Sequence, residues 1–218
     1  MSPNNSISSD REGITSAKFS RFLSLPFQSS RLSTFLAVKR FEEIPIDVLL
    51  KDGIEGILLD ADGTLGPHHT RSFEVSVLDH VQAMLQQGLK VAIYTNAAED
   101  RFQSFEELGV KIVNNVPPKP DSVGFEIAMK EFLGLSDPSK ICMIGDNYIT
   151  DGGAIDAGMR FIHVQPVAGN YCLSCPTDDC TFLGGHVLQT NDGYRRFVGI
   201  CNRSPGLPMG RFRQYEKP

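Results

Sequence analysis

A three-layer α/β fold, with a mainly parallel five-stranded sheet covered by helices on both faces, is predicted by three features of this sequence. Short apolar runs alternate with stretches of helical spacing from Ile54 to Val164. The runs are too short for helices and lack the polar alternation of a half-exposed strand, as parallel strands buried on both faces do. Their carboxyl ends run into Asp, Asn, Thr and Gly, where open α/β sheets place their sites.

The elements follow in order. Ser/Asn-rich residues 1–16 read as disordered, Pro26 splits the segment after them, and a helix is predicted from Ser30 to Phe41. Pro45 marks a loop and Ile46–Lys51 a short helix. Ile54–Leu59 is the first strand. From Ser72 to Gln87, Val75, Leu78, Val81 and Leu85 recur at helical spacing and Gly88 stops the helix. Leu89–Tyr94 is the second strand, Glu99–Leu108 a helix ended by Gly109, and Val110–Val113 the third strand. Asp121 caps a helix that runs to Leu133 and stops at Gly134. Lys140–Ile144 is the fourth strand, Thr150–Ala157 a helix, and Met159–Val164 the fifth strand. After Pro166 the pattern fades. Three regions result: a basic, Ser/Phe-rich segment (1–41), an α/β domain (42–166) and a Cys-containing extension (167–218).

The first strand delivers Asp60-Ala61-Asp62-Gly63-Thr64-Leu65 into a turn. Residues i and i+2 of a strand point the same way, so both carboxylates can reach one ligand while Gly63 lets the backbone turn closely around it. Two carboxylates this close repel unless a cation joins them or one is protonated, so a divalent metal, a nucleophile and an acid/base are all on offer. The second strand ends in Thr95-Asn96, a hydroxyl and an amide suited to an anion. Pro117-Pro118-Lys119-Pro120 holds a lone lysine in a stiff loop. The fourth strand runs into Gly145-Asp146-Asn147-Tyr148-Ile149-Thr150-Asp151, with two further acids.

Taken together, these residues resemble the four motifs of the haloacid-dehalogenase (HAD) superfamily of phosphotransferases. Asp60 to Leu65 matches the first motif, Thr95 the second, Lys119 the third, and Gly145-Asp146 with Asp151 the fourth. The resemblance implies a three-layer Rossmann-like HAD fold and a phosphatase. By the same resemblance Asp60 is the nucleophile that forms an aspartyl-phosphate, and Asp62 is the acid and then the base. Thr95, with Asn96 and Gly63 beside the phosphate, binds substrate, and Lys119 neutralises charge. Magnesium would be held by Asp60, the backbone carbonyl of Asp62, and Asp146, with Asp151 completing or orienting the set.

Members of this superfamily carry substrate-enclosing caps after the first motif or between the second and third. The intervals Gly63–Tyr94 and Asn96–Pro118 hold no such insertion, so the chain resembles the capless subfamily IIIA. An uncapped site suits substrates whose own bulk excludes water. Within that subfamily, Ile44 to Asp47 leading to Gly53-Ile54-Glu55-Gly56, the Lys-Pro pair, and Asp151 to Gly158 resemble the phosphatidylglycerophosphate phosphatase branch. Gly63, where many of that branch carry Asn, and Gly66-Pro67-His68-His69 depart from it. His68 and His69 beside the first motif read as exposed loop residues, the alternative being that they touch substrate.

Composition bounds the rest. Hydrophobic content of 41% and charged content of 22% describe an ordinary globular chain, and no apolar run approaches the ~18 residues of a membrane helix. A net charge of −5 argues against generic nucleic-acid binding. Residues 1–41 nevertheless hold six Lys/Arg against two Asp/Glu, interleaved with Phe19, Phe22, Leu23 and Phe27. This is the composition of a segment that makes a peripheral membrane contact, for instance at a lipid head group. It also has the Ser/Arg-rich look of an organellar transit peptide, although Asp10 and Glu12 interrupt it. The five cysteines, without a signal peptide, point to a reducing, cytoplasmic setting. Cys172, Cys175 and Cys180, with His186 or Cys201, could form a structural zinc clip. The rival readings are a HAD phosphatase of a phosphoprotein, sugar phosphate or nucleotide, and a non-catalytic membrane-associated scaffold on the same fold.

Overall fold

The computed structural model describes residues 16–27, 29–97, 101–167, 181–189 and 195–202. The chain divides into two compact units, Met1–Gly169 and Asn170–Pro218. Among its described residues the first unit holds six strands: β1 (Leu36–Val38), β2 (Gly56–Leu59), β3 (Lys90–Ile93), β4 (Lys111–Ile112), β5 (Ile141–Gly145) and β6 (Arg160–Val164). They form one sheet in the order β1-β6-β5-β2-β3-β4, and every pairing is parallel. Its helices are α1 (Ser16–Ser24), α2 (Ile46–Lys51), α3 (Val75–Gln86), α4 (Gln103–Glu106), α5 (Ser122–Ile127, continued by a π-helical stretch Ala128–Leu133) and α6 (Gly153–Asp156).

Strand periodicity builds the layers. Ile57, Leu59, Val91, Ile93, Cys142 and Ile144 point to one face, where they meet Leu49 of α2, Val77, Val81 and Met84 of α3, and Phe105 of α4. Their alternates Leu58, Ala92, Ile141 and Met143 point to the other, against Phe125 of α5, Met129 and Leu133 of the π-helical stretch, and Ala154 of α6. Each central strand is therefore apolar throughout because both of its faces are covered. Asp121 caps α5 by accepting from the Val123 N–H at 2.9 Å. Gly134 ends the helix in the left-handed conformation, with φ of 64°.

The sheet has six strands, not the five predicted. The helix predicted over Ser30–Phe41 is instead a 3₁₀ turn (Ser29–Leu32), strand β1 and a second 3₁₀ turn (Phe41–Glu43). The open edge of β6 accounts for the difference: Leu36, Ala37 and Val38 pair with Ile162, His163 and Val164, and a tertiary ladder outweighs weak local helix preference. Helix α1 lies where no helix was predicted. Its amphipathic spacing is short, and Pro26 follows closely. The helices predicted over Glu99–Leu108 and Thr150–Ala157 contract to α4 and α6. Gly152 and Gly153 oppose helix formation at the start of the latter, and residues 98–100 lie outside the described set.

The second unit contains an antiparallel pair, β7 (Thr181–Gln189) and β8 (Arg195–Asn202), with an irregularity between Phe182 and Gly185. Cys172, Cys175 and Cys180 of the predicted zinc clip lie outside the described residues, as do residues 1–15. No helix among the described residues is long and apolar enough to cross a membrane.

Candidate active site

The chain leaves β2 for β3 on one side and reaches β5 on the other, so the crevice beyond the carboxyl ends of β2 and β5 is a topological switch point. Asp60 follows β2 directly, and its N–H bonds the Ile144 carbonyl of β5 at 2.9 Å. Asp146 follows β5 in the same way, and Thr95 lies just beyond β3. These residues, with Asp62, Asn96, Lys119 and Thr150, line one pocket of about 600 Å³.

Lys119 is the electrostatic centre. It is 1% exposed, and its Nζ lies 2.7 Å from Asp60 Oδ1 and 2.5 Å from Asp151 Oδ1. Burial alone would lower the affinity of this amine for its proton, but Asp151 and Asp60 reverse that and hold it above its ordinary value, so the lysine stays charged. Asn96 fixes its backbone: the amide oxygen accepts from the Lys119 N–H at 2.9 Å and the amide nitrogen donates to the Lys119 carbonyl at 3.1 Å. The Tyr94 hydroxyl donates to the Pro117 carbonyl at 2.7 Å and secures the same loop.

Three carboxylates crowd this one ammonium. Asp60, Asp146 and Asp151 each offer an oxygen within 4.8 Å of the others. Burial, then the charge of Asp60, raises Asp146 above the usual carboxylate value. The same causes, against the pull of Lys119, push Asp151 up to about 7. Asp151 is nonetheless tightly held: Oδ2 accepts from the Asn147 N–H at 3.0 Å, and the Thr150 hydroxyl donates to Oδ1 at 3.3 Å. A negative cluster of hard oxygen donors with too little positive charge fits a divalent cation such as magnesium.

Asp62 stands apart from that cluster. Its Oδ2 forms an ion pair with Arg101 at 2.7 Å, and its Oδ1 accepts from the His69 N–H at 2.9 Å. Arg101 is itself buried and also donates to the Thr70 carbonyl at 3.2 Å. Gly63 has a left-handed φ of 82°, and a Cβ there would stand 2.5 Å from Asp146 Oδ2, so the glycine lets the two motif loops touch. The Thr95 hydroxyl accepts from the Ala97 N–H at 3.2 Å. His68 and His69 are exposed and line the pocket.

Sequence reasoning missed Arg101, which carries no motif signal. It also missed Lys18, Phe19 and Phe22 of α1 as pocket-lining residues. Helical spacing of the two phenylalanines was the available hint for the latter.

This sheet, with four motif loops converging at its carboxyl edge and no domain inserted among the described residues, defines a capless HAD-type phosphatase. The family model described as mitochondrial PGP phosphatase matches residues 16–155, from the first residue of α1 through most of α6, and the chain belongs to that family. No curated protein matches the chain in sequence. Solved structures similar to it include the core domain of a candidate phosphoglycolate phosphatase from Streptococcus pneumoniae TIGR4, at 19% identity over 54% of this chain and 90% of that one, with a TM-score of 0.37. L-2-haloacid dehalogenase from Xanthobacter autotrophicus is 17% identical over 51% of this chain and 77% of its own, with a TM-score of 0.36. CbbY from Rhodobacter sphaeroides in complex with phosphate is 13% identical over 56% and 92%, with a TM-score of 0.37.

Proposed function

We propose that this phosphatase is magnesium-dependent, works through a phosphoryl group carried on Asp60, and hydrolyses phosphatidylglycerophosphate. The observation that carries the chemistry is the Lys119 ammonium buried between Asp60 and Asp151, with Asp62 held separately by Arg101. Lys119 engages Oδ1 of Asp60, and Oδ2 attacks phosphorus. The new Asp60 O–P bond forms as the ester O–P bond breaks, and protonated Asp62 gives its proton to the departing alkoxide. Ionised Asp62 then takes a proton from water, whose oxygen attacks phosphorus. The Asp60 O–P bond breaks, and inorganic phosphate and the free carboxylate result. Lys119 balances negative charge on the phosphoryl oxygens throughout, and Thr95 donates to one of them. Asn96 positions Lys119.

The carboxylates of Asp60 and Asp146 and the backbone carbonyl of Asp62 would hold magnesium, with Asp151 orienting the set. When bound, the ion would offset charge on the phosphoryl group. The lipid substrate is supported by the family's description and by an open pocket that a bulky substrate must itself close. The same description favours a mitochondrial over a cytoplasmic location.

The test is magnesium-dependent phosphate release from phosphatidylglycerophosphate in mixed micelles, beside sugar phosphates, nucleotides and phosphopeptides, with Asp60→Asn as blank. A lipid preference of at least about tenfold in kcat/KM is expected. A soluble ester as best substrate would overturn the lipid assignment. Normal turnover by Asp60→Asn would overturn the mechanism, and no turnover on any ester would favour the scaffold reading.

A further inference from the structure

Helix α1 is amphipathic in the reverse sense to an ordinary surface helix. Its arginine, Arg21, is 4% exposed, while Phe19 and Phe22 are 57% and 56% exposed. A helix packed only for stability would bury the rings and leave the cation in water. The arginine is spent on the loop after β5. Its Nε donates to the Tyr148 carbonyl at 3.0 Å, its Nη2 to the Gly152 carbonyl at 2.5 Å, and its Nη1 pairs with Asp156. The chain beyond the helix is fastened to the same region: Arg31 pairs with Asp156 at 3.1 Å, and the Thr34 and Tyr148 hydroxyls lie 2.5 Å apart.

That loop carries Asp151, so the helix is clamped beside the charged end of the pocket. Phe19 and Phe22, one helical turn apart, line the same pocket as Asp60, Thr95 and Lys119. The floor is charged, and this wall presents two aromatic rings beside Lys18. Single exposed apolar residues are common on any surface. Two rings on one helix face, held there by a buried guanidinium and bordering a site for a phosphomonoester, have a ligand-facing arrangement.

We infer that α1 is one wall of this open site, and that Phe19 and Phe22 are specificity-determining residues that take the hydrocarbon portion of a single amphiphilic phosphomonoester. The inference rests on reading the pocket as a phosphomonoester site and deepens it. The polar floor and the two exposed rings set the ligand's orientation: its phosphate goes to Lys119 and Thr95, and its apolar chain leaves along α1. Arg21 is a positioning residue, because it acts on the wall and not on the ligand.

The test uses non-hydrolysable probes, so that it does not depend on turnover. Binding of dodecylphosphonate, kept below its micelle concentration, and of methylphosphonate is measured by calorimetry in magnesium with the full chain. The wild-type chain is expected to prefer the dodecyl probe. In the Phe19→Gln/Phe22→Gln variant, whose glutamines preserve helix propensity, that preference is expected to fall about 10- to 100-fold, the effect of losing burial of two half-exposed rings. Phe19→Leu/Phe22→Leu is expected to keep most of it, and Val123→Gln, an exposed apolar residue outside the pocket lining, all of it. For turnover of a monomeric lipid phosphate, the Gln variant is expected to raise KM more than it lowers kcat.

No dodecyl preference in the wild type, an unchanged preference in the Gln variant, or equal weakening of both probes would overturn the inference. The last result would mark a structural role for α1. The two readings fail in different ways. A phenylalanine-dependent dodecyl preference with no competition from inorganic phosphate would sustain the apolar wall and overturn the phosphomonoester site. Inhibition by methylphosphonate with no dodecyl preference would do the reverse.

Discussion

Replacing Lys119 by Met should destabilise the metal-free protein, and the loss should depend on pH in a defined direction. The substitution keeps the length of the apolar stem and removes the ammonium that lies 2.7 Å from Asp60 and 2.5 Å from Asp151. Breaking a buried pair by deleting one partner costs about 3–5 kcal/mol, because the other charge remains buried and uncompensated. The wholly apolar methionine side chain recovers about 1 kcal/mol of burial. The uncompensated charge therefore wins, with a net loss of about 2–4 kcal/mol at pH 8 and a melting temperature roughly 5–15 °C lower.

The sign of the pH dependence follows from Asp151. Its folded-state pKa is pushed up to about 7, against an ordinary value of 3.8, by burial and then by Asp60, with Lys119 pulling the other way. Removing Lys119 leaves the raising causes unopposed. A carboxyl whose pKa is raised on folding contributes stability below its unfolded value, and that contribution is lost as pH rises through the folded value. The deficit of Lys119→Met relative to wild type should therefore be largest at pH 8, shrink as pH falls through about 7, and level off below that. Urea unfolding in a chelating buffer at pH 8, 7, 6 and 5 measures it. A deficit that is absent at pH 8, or constant across the series, would refute the placement of Lys119 as the counter-charge of a buried acid cluster.

Three further outcomes are expected. Gly63→Ala forces a Cβ to within 2.5 Å of Asp146 Oδ2 at a φ of 82°. It should cost about 1–2 kcal/mol in stability and weaken magnesium about 10- to 100-fold by displacing a ligand, as titration calorimetry would report. Arg101→Gln frees the side chain of Asp62 and should lower kcat by about tenfold or more while leaving KM close to wild type. An altered pH–rate profile would separate this positioning role from simple loss of packing. In the wild-type protein, magnesium affinity should fall as pH drops through about 7, since Asp151 must then give up a proton to complete or orient the set. Calorimetry in buffers of different ionisation enthalpy should detect proton release on binding, and a pH-independent affinity between 6 and 8 would exclude Asp151 from the metal set.

The residues that could be read from the sequence share one property: their placement is decided within a few residues along the chain. Asp60 and Asp62 follow an apolar run that can only be a buried strand, and Asp146 follows another. Thr95 and Lys119 sit on the loops that the β/α alternation requires, so strand order alone carries them to one edge. What could not be read depends on partners far away in sequence. β1 is three residues whose state is set by the free edge of β6. Arg101 lies in a stretch without periodicity and is recognisable only by the carboxylate it meets. Asn96 reads as an anion ligand until the Lys119 backbone, 23 residues on, occupies both ends of its amide. Helix α1 is the sharpest case. Its phenylalanines and basic residues read as an interfacial, membrane-contacting composition, and that pattern alone gives neither a helix nor a place for it beside the site. The carbonyls of Tyr148 and Gly152, more than 120 residues away, supply that place because they offer a buried guanidinium the acceptors it needs. A burial pattern inverted by such a distant contact costs the helix its ordinary packing, and the pocket it borders is where that cost would be recovered.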